Sequence, residues 1–180
     1  MNKVRIIGGT WRSRILTFPD SPGLRPTPDR VRETVFNWLG QDLSGKSCLD
    51  LFAGSGAMGF EAASRGAESV LLVENNRAAH AALLGNAQKL DANQITILAA
   101  DALKFASADT GKFDVIFLDP PYRQKLLPQL LPLIAARLNP QGLVYVESDS
   151  AIEPADGFEI WRSGKAGGVY YQLLKVCGQR

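Results

Sequence analysis

Ser47-Cys48-Leu49-Asp50-Leu51-Phe52-Ala53-Gly54-Ser55-Gly56-Ala57-Met58-Gly59 decides how the rest of this 180-residue chain is read. A short apolar run ends near an aspartate, a glycine-rich turn follows, and alanine-rich helical sequence begins directly after it. Strand, tight turn and helix in that order form the first unit of a parallel sheet with crossover helices. Strands are expected over Ser47 to Leu51, Ser69 to Glu74, Ile95 to Ala99, Phe113 to Leu118 and Gly142 to Glu147. Between them the pattern predicts helices over Ala57 to Arg65, Arg77 to Leu90, a short turn after Asp101, and Gln124 to Leu138. Pro128 and Pro132 should kink or delay the last of these.

Toward the C-terminus the rhythm changes. Phe158 to Arg162 and Val169 to Val176 have only Ser163 to Gly168 between them, which predicts an antiparallel hairpin with a flexible tip. At the other end, Val4 to Gly9 and Arg14 to Phe18 flank a glycine-containing turn and predict a small hairpin. Pro19, Pro22, Pro26 and Pro28 then keep residues 19–28 extended, and Asp29 is expected to cap a helix whose Val31, Val35, Trp38 and Leu39 share one face. Five alternating units closed by a hairpin specify an α/β, Rossmann-like sheet of seven mostly parallel strands with helices on both faces. A single domain spanning residues 1–180 is expected, with 1–28 as a basic hairpin and loop extension.

At 46% hydrophobic residues the chain can bury a proper core. It has no apolar stretch approaching ~18 residues and no charged-then-apolar leader, so a cytoplasmic protein is expected. Cys48 and Cys177 lack paired spacing, which argues against a disulfide framework or a zinc site. His80, inside a helical pattern, reads as a surface or packing residue. Net charge is +2, yet residues 1–32 alone carry +5 through Lys3, Arg5, Arg12, Arg14, Arg25, Arg30 and Arg32 against Asp20 and Asp29. A cationic front before a nearly neutral domain is the pattern of a nucleic-acid contact surface, although a solvated hairpin face would look similar.

Ligands of open α/β sheets bind beyond the carboxyl ends of the strands, where strand order reverses. Gly54-Ser55-Gly56-Ala57-Met58-Gly59 matches the dinucleotide fingerprint, and Glu74 lies at about the distance of a ribose contact, so a dehydrogenase competes as a reading. Asp50 discriminates, because a carboxylate at the threshold of a pyrophosphate cradle repels it, whereas S-adenosyl-L-methionine presents an ammonium. Asp50 would serve that cation directly or through water, with Phe52 beside it. Gly54 and Gly56 would let the backbone approach the methionine and ribose portion. Glu74 would accept from the ribose hydroxyls and Asp101 from the adenine amine, and Ala102 would offer its backbone N–H to the ring. Nothing beside the glycine loop supplies an acid or base for hydride transfer.

Asp119-Pro120-Pro121-Tyr122 follows the fourth apolar strand. Consecutive prolines fix φ and remove two donors, which leaves the Pro120 carbonyl to face a ligand. Asp119 and that carbonyl would take the two hydrogens of a planar amine while Tyr122 stacks on its ring. The same four residues also make an ordinary helix start. The motif therefore specifies the type of amine and leaves the molecule open.

On these motifs the chain resembles the class I S-adenosylmethionine-dependent methyltransferases. More closely it resembles the bacterial enzymes that methylate the exocyclic N2 of a guanine in 16S ribosomal RNA. The likeness is carried by Arg5-Ile6-Ile7-Gly8-Gly9, Arg25-Pro26-Thr27, Asp29-Arg30-Val31-Arg32-Glu33, Asp50 to Gly56, Asp119 to Tyr122 and Gly167 to Tyr171. It implies a monomer that uses S-adenosyl-L-methionine and modifies 16S ribosomal RNA during or after small-subunit assembly. Arg5, Arg12, Arg14, Arg25, Thr27 and Arg30 are then the expected RNA contacts. A DNA adenine-N6 or protein glutamine-N5 methyltransferase shares the amine chemistry and stays open, as does a non-catalytic module that only binds the cofactor.

Overall fold

Nine strands and five helices form among the residues that the computed structural model describes, which are 1–21, 24–109, 111–121, 123–149 and 157–178, with backbone alone at 123 and 124. β1 (Asn2–Arg5) and β2 (Ile15–Phe18) make a separate antiparallel hairpin, Asn2 opposite Phe18 and Arg5 opposite Ile15. α1 (Asp29–Trp38) follows the proline-rich loop. Then β3 (Ser47–Asp50), α2 (Ala57–Ser64), β4 (Ser69–Val73), α3 (Arg77–Leu90), β5 (Ile95–Leu98), α4 (Ala102–Ser107), β6 (Phe113–Leu118), α5 (Arg123–Ala135) and β7 (Leu138–Ser148) alternate along the chain. β8 (Phe158–Ala166) and β9 (Val169–Val176) come last.

The large sheet has the order β5-β4-β3-β6-β7-β9-β8, and only β9 runs against its neighbours. Strand order reverses between β3 and β6, which places a crevice above their carboxyl ends. Residue alternation supplies both faces of the sheet. Cys48, Val115, Phe117 and Tyr145 pack with α1, α2, α3 and the β1–β2 hairpin, while Leu49, Ile116, Leu118 and Val146 pack with α4 and α5. Leu49, Leu72 and Ile116 are fully buried, each contributing about 1.5–3 kcal/mol by burial. No described helix is long and apolar enough to cross a membrane.

Four local expectations are corrected. Asp29 does not cap α1; Pro28 occupies the cap position without a side-chain bond, and the Asp29 carboxylate instead pairs with the buried guanidinium of Arg32. α5 begins at Arg123, ends at Ala135 and runs through Pro128 and Pro132. Both prolines are exposed, while Leu127, Leu130, Leu131 and Ile134 fill the buried side. β7 starts at Leu138 rather than Gly142. Its register slips between Phe113–Leu138 and Val115–Leu143, and this irregularity accommodates Pro140. β8 likewise continues to Ala166, which shortens the expected flexible tip to Gly167 and Gly168.

Candidate active site

Asp50 closes β3 and Asp119 follows β6, so the two carboxylates flank the point where strand order reverses. The Leu51 N–H donates to the Phe117 carbonyl at 3.2 Å and the Ala53 N–H to the Val73 carbonyl at 3.0 Å, which bends the chain after β3 across both neighbouring strands. Glu74 follows β4. Its Oε1 accepts from the Gly54 N–H at 2.8 Å and its Oε2 from the Asn76 N–H at 2.9 Å, so this carboxylate orders the glycine turn and retains further lone pairs.

A cavity of about 250 Å³ lies over these strand ends, lined by Asp50, Gly54, Glu74, Asp119, Pro121 and Tyr145, and by Leu24, Arg25 and Thr27 of the N-terminal loop. A second, of about 230 Å³, is lined by Asp101, Ala102, Leu103 and Leu126. Phe52, Glu74, Asn75 and Pro121 border both. The two lobes together have the size of a cofactor site.

The electrostatics of the larger lobe are anionic. Burial pushes the Asp50 carboxyl up to about 7, and the charges of Asp119 and Glu74 push the same way, against backbone N–H groups of Gly59 and Phe52. A cation placed among these three carboxylates relieves that repulsion. The ammonium and sulfonium of S-adenosyl-L-methionine therefore fit the donor set. Tyr145 and Thr27 both donate to Glu147 Oε1, at 2.6 and 2.8 Å. Burial, then the charge of Glu147, holds the Tyr145 phenol well above its ordinary range, so it is a neutral donor at every working pH.

Asp50, Phe52, Gly54, Glu74, Asp119 and Pro121 thus gather around one lobe, and Asp101 and Ala102 around the other. Pro120 is buried and is not among the residues lining either lobe. The Asp101 carboxylate is exposed and also caps α4, accepting from the Lys104 N–H at 3.0 Å. Gly56 departs from its expected role. Its φ of +83° starts α2, an added Cβ would lie 2.7 Å from both Leu83 and Phe60, and it is not among the residues lining the cavity, so the core requires its missing side chain. Tyr122 lies outside the described residues, as does Pro22.

The expected RNA contacts separate. Arg5, Arg12, Arg14, Arg25 and Arg30 are exposed, but only Arg25 lines the cavity. Arg12 belongs to the β1–β2 turn, which docks on the far end of α2: the Thr10 N–H donates to the Ser64 carbonyl at 2.8 Å and the Trp11 N–H to Ser64 Oγ at 2.9 Å. Thr27 is 7% exposed with its hydroxyl committed to Glu147, so it belongs to the cavity wall and not to the outer surface. Arg32, counted in the cationic front, is fully buried. Tyr145, Leu24 and Met58 line the cavity without having been singled out. An aromatic inside an apolar strand carries no sequence signal beyond core, and only the pairing of β7 beside β6 brings Tyr145 to the site.

Sheet order, the anionic crevice at the switch point and the second lobe beside Asp101 define a class I methyltransferase of the S-adenosylmethionine-dependent type. The family model described as "Conserved hypothetical protein 95" matches residues 4–175. The chain is 42% identical over 179 residues to ribosomal RNA small subunit methyltransferase D of Escherichia coli K12, covering 96% of this chain and 90% of that protein. It is 39% identical over 181 residues to the Haemophilus influenzae protein of the same name, covering 96% and 94%. It belongs to this ribosomal RNA small subunit methyltransferase D family. The solved structure of yhhF from Escherichia coli superposes with a TM-score of 0.89 at 38% identity over 99% of this chain and all of that one. SMU.776, solved in complex with S-adenosylhomocysteine, shares the fold alone, with a TM-score of 0.72 at 18% identity over 90% of this chain and 53% of that one.

Proposed function

We propose that this chain transfers a methyl group from S-adenosyl-L-methionine to the exocyclic N2 of a guanine in 16S ribosomal RNA. The observation that carries the reading is the meeting of Asp50, Glu74 and Asp119 at one cavity that opens beside the second lobe at Asp101. That arrangement suits a cationic adenosyl cofactor on one side and an amine on the other. The relatives, named for small-subunit ribosomal RNA, supply the molecule.

When bound, the cofactor supplies an electrophilic methyl on a positively charged sulfur. Asp50 balances the ammonium, Glu74 the ribose hydroxyls, and Asp101 with the Ala102 N–H orients the adenine. Phe52, which borders both lobes, would pack against the bound cofactor. Asp119 and the Pro120 carbonyl take the two amine hydrogens and aim the nitrogen lone pair, and Tyr122 is assigned the stacking surface on sequence grounds. Guanine's N2 lone pair is delocalised into the ring, so acceptors off the ring plane favour its pyramidal form. Positioning and electrostatics provide most of the acceleration. Asp119 then holds the released proton or passes it to water. Extrusion of the base costs a few kcal/mol, which stacking at roughly 1–3 kcal/mol offsets in part.

The substrate is 16S RNA in an assembling or assembled small subunit in the cytoplasm, and the enzyme acts as a monomer. Mass mapping of modified nucleosides in 16S RNA from cells with and without this protein tests the proposal. One N2-methylguanine should disappear with the protein and return with the purified enzyme and cofactor. Label entering DNA adenine or protein glutamine instead would overturn it.

A further inference from the structure

The cations on the catalytic rim are unevenly supplied. Arg25 reaches the cavity from the N-terminal side, whereas Arg12 sits at the opposite end of α2. On the other side of Asp119 the rim is built by β7, β9 and β8, and strand register fixes what stands there. Leu118, the last residue of β6, pairs with Val146 of β7; two residues further along, Ser148 pairs with Tyr170, and Tyr170 with Lys165. The Lys165–Tyr170 row is therefore level with Pro120, displaced sideways by two to three strand spacings, about 10–14 Å. That offset reaches nucleotides adjoining one held at Asp119.

The chemistry at this row is cationic and aromatic. Lys165 Nζ lies 5.0 Å from the Tyr170 ring centroid, and three residues back along β8 Arg162 Cζ lies 4.2 Å from that of Trp161. Lys165 and Arg162 are exposed, and the Gly167–Gly168 tip has open space around it. The hairpin is also braced. Gly164 sits under the Tyr171 ring, where an added Cβ would lie 2.6 Å from Cζ, and Tyr171 stacks on Trp38 of α1 with centroids 5.4 Å apart and planes at 27°. Charge on the edge strand β8 alone would serve to discourage strand pairing. Tyr170, however, lies on β9, which has partners on both sides.

We infer that the β8–β9 tip is a second RNA-contact surface, Lys165 meeting a phosphate and Tyr170 presenting its ring to an unpaired base beside the target guanine. This rests on the proposed ribosomal RNA substrate and names where that substrate is gripped on the acceptor side. Basic side chains interleaved with aromatics suit single-stranded RNA.

Lys165→Ala, Tyr170→Ala, Tyr170→Phe and Lys165→Glu are compared with wild type on small subunits from cells lacking the enzyme and on a deproteinised 16S fragment. Tyr170→Ala and Lys165→Glu should each raise KM for the subunits about tenfold, a loss expected for one stacking or phosphate contact. Turnover at saturation should stay within about twofold, and S-adenosylhomocysteine affinity and melting temperature should not move. Tyr170→Phe should restore KM, and Lys165→Ala should lower the slope of log affinity for the fragment against log salt by about one. Unchanged KM and salt slope in active variants would overturn the inference. So would a loss on subunits with full binding to the bare fragment, which assigns the tip to a protein contact. If wild type labels no RNA, the proposed substrate itself has failed, a distinct result.

Discussion

Two clusters of buried charge lie within and ahead of α2, and they differ in the sign of the charges gathered around their most buried carboxylate. Glu61, fully buried in the middle of the helix, accepts from the Ile7 and Gly8 N–H groups, each at 2.9 Å, from Arg32 at 3.1 Å and from Arg65 at 2.9 Å. Arg32 is further tied to Asp29, to the Thr27 carbonyl and to the Arg5 carbonyl. Every charge there has a partner from the chain, and the cluster fastens the N-terminal hairpin to the helix. Ahead of α2, Asp50 is just as deeply buried but its strongest charged neighbours, Asp119 and Glu74, are negative. The first cluster pairs opposite charges and fastens two elements together; the second gathers carboxylates at the mouth of a cavity, which suits a ligand of opposite sign.

Breaking the balanced cluster should have the largest effect. Glu61→Ala strands Arg32 and Arg65 in the interior and orphans two amides, which should cost about 3–5 kcal/mol in urea unfolding. Residual cofactor binding in the fraction that folds should be near normal. A loss under 1 kcal/mol would mean that the hairpin junction is held by packing alone. Gly56→Ala probes the link between the clusters. A side chain at φ +83° pressed on Leu83 and Phe60 should cost roughly 2–3 kcal/mol in the same measurement.

The acidic cluster should respond in the opposite direction. Asp50→Asn removes repulsion, so the ligand-free protein at pH 8 should gain on the order of 1–2 kcal/mol. Cofactor affinity in calorimetry should fall at least tenfold, by analogy with other charge-assisted contacts. Loss of stability in this variant would show that Asp50 is a structural acceptor first.

The smallest effect is a slope with pH. The folded value of Asp50, about 7, lies above its ordinary 3.8, so the folded protein holds an extra proton between them. Stability without ligand is full below the lower value and declines as pH rises through the upper one. Binding a cation favours the ionised carboxyl. S-adenosylmethionine affinity should therefore rise with pH up to about 7, by at most about tenfold per unit, and level off above, with proton release below pH 7 detectable as a buffer-dependent heat. A flat profile from pH 5.5 to 8 would remove Asp50 from the ammonium site.

The same contrast explains what could be read from residues alone. α3 spans Arg77–Leu90 as its periodicity indicates, with Asn76 accepting from the Ala79 N–H as its cap, and β6 ends at Leu118 as its apolar run does. The acids around the cavity were legible because each stands at a strand end, where chain order alone places it on the rim. The hairpin motif was legible as a pattern and not as a role. Arg5-Ile6-Ile7-Gly8-Gly9 looks like an RNA-contact segment, yet Gly8 and Gly9 are small because α2 passes against them, an added Cβ on Gly9 falling 1.9 Å from the Ser64 carbonyl. Arg32 resembles its neighbour Arg30 in sequence, and only the fold distinguishes the buried guanidinium from the exposed one. The Thr27–Glu147 bond joins residues 120 apart and Tyr145 reaches the site through the pairing of β7 with β6, neither of which a local pattern encodes.

Asp119→Ala tests the central claim most directly, with methyl transfer to 16S RNA and S-adenosylhomocysteine affinity measured on the same preparation. Loss of the acceptor that aims the amine should lower turnover by at least about a hundredfold, the scale of removing one preorganised group from a transition state. Affinity should stay within a few-fold, since the proposed cofactor contacts at Glu74 and Asp101 remain. Turnover near that of the wild type would contradict the assignment of Asp119 to the acceptor amine.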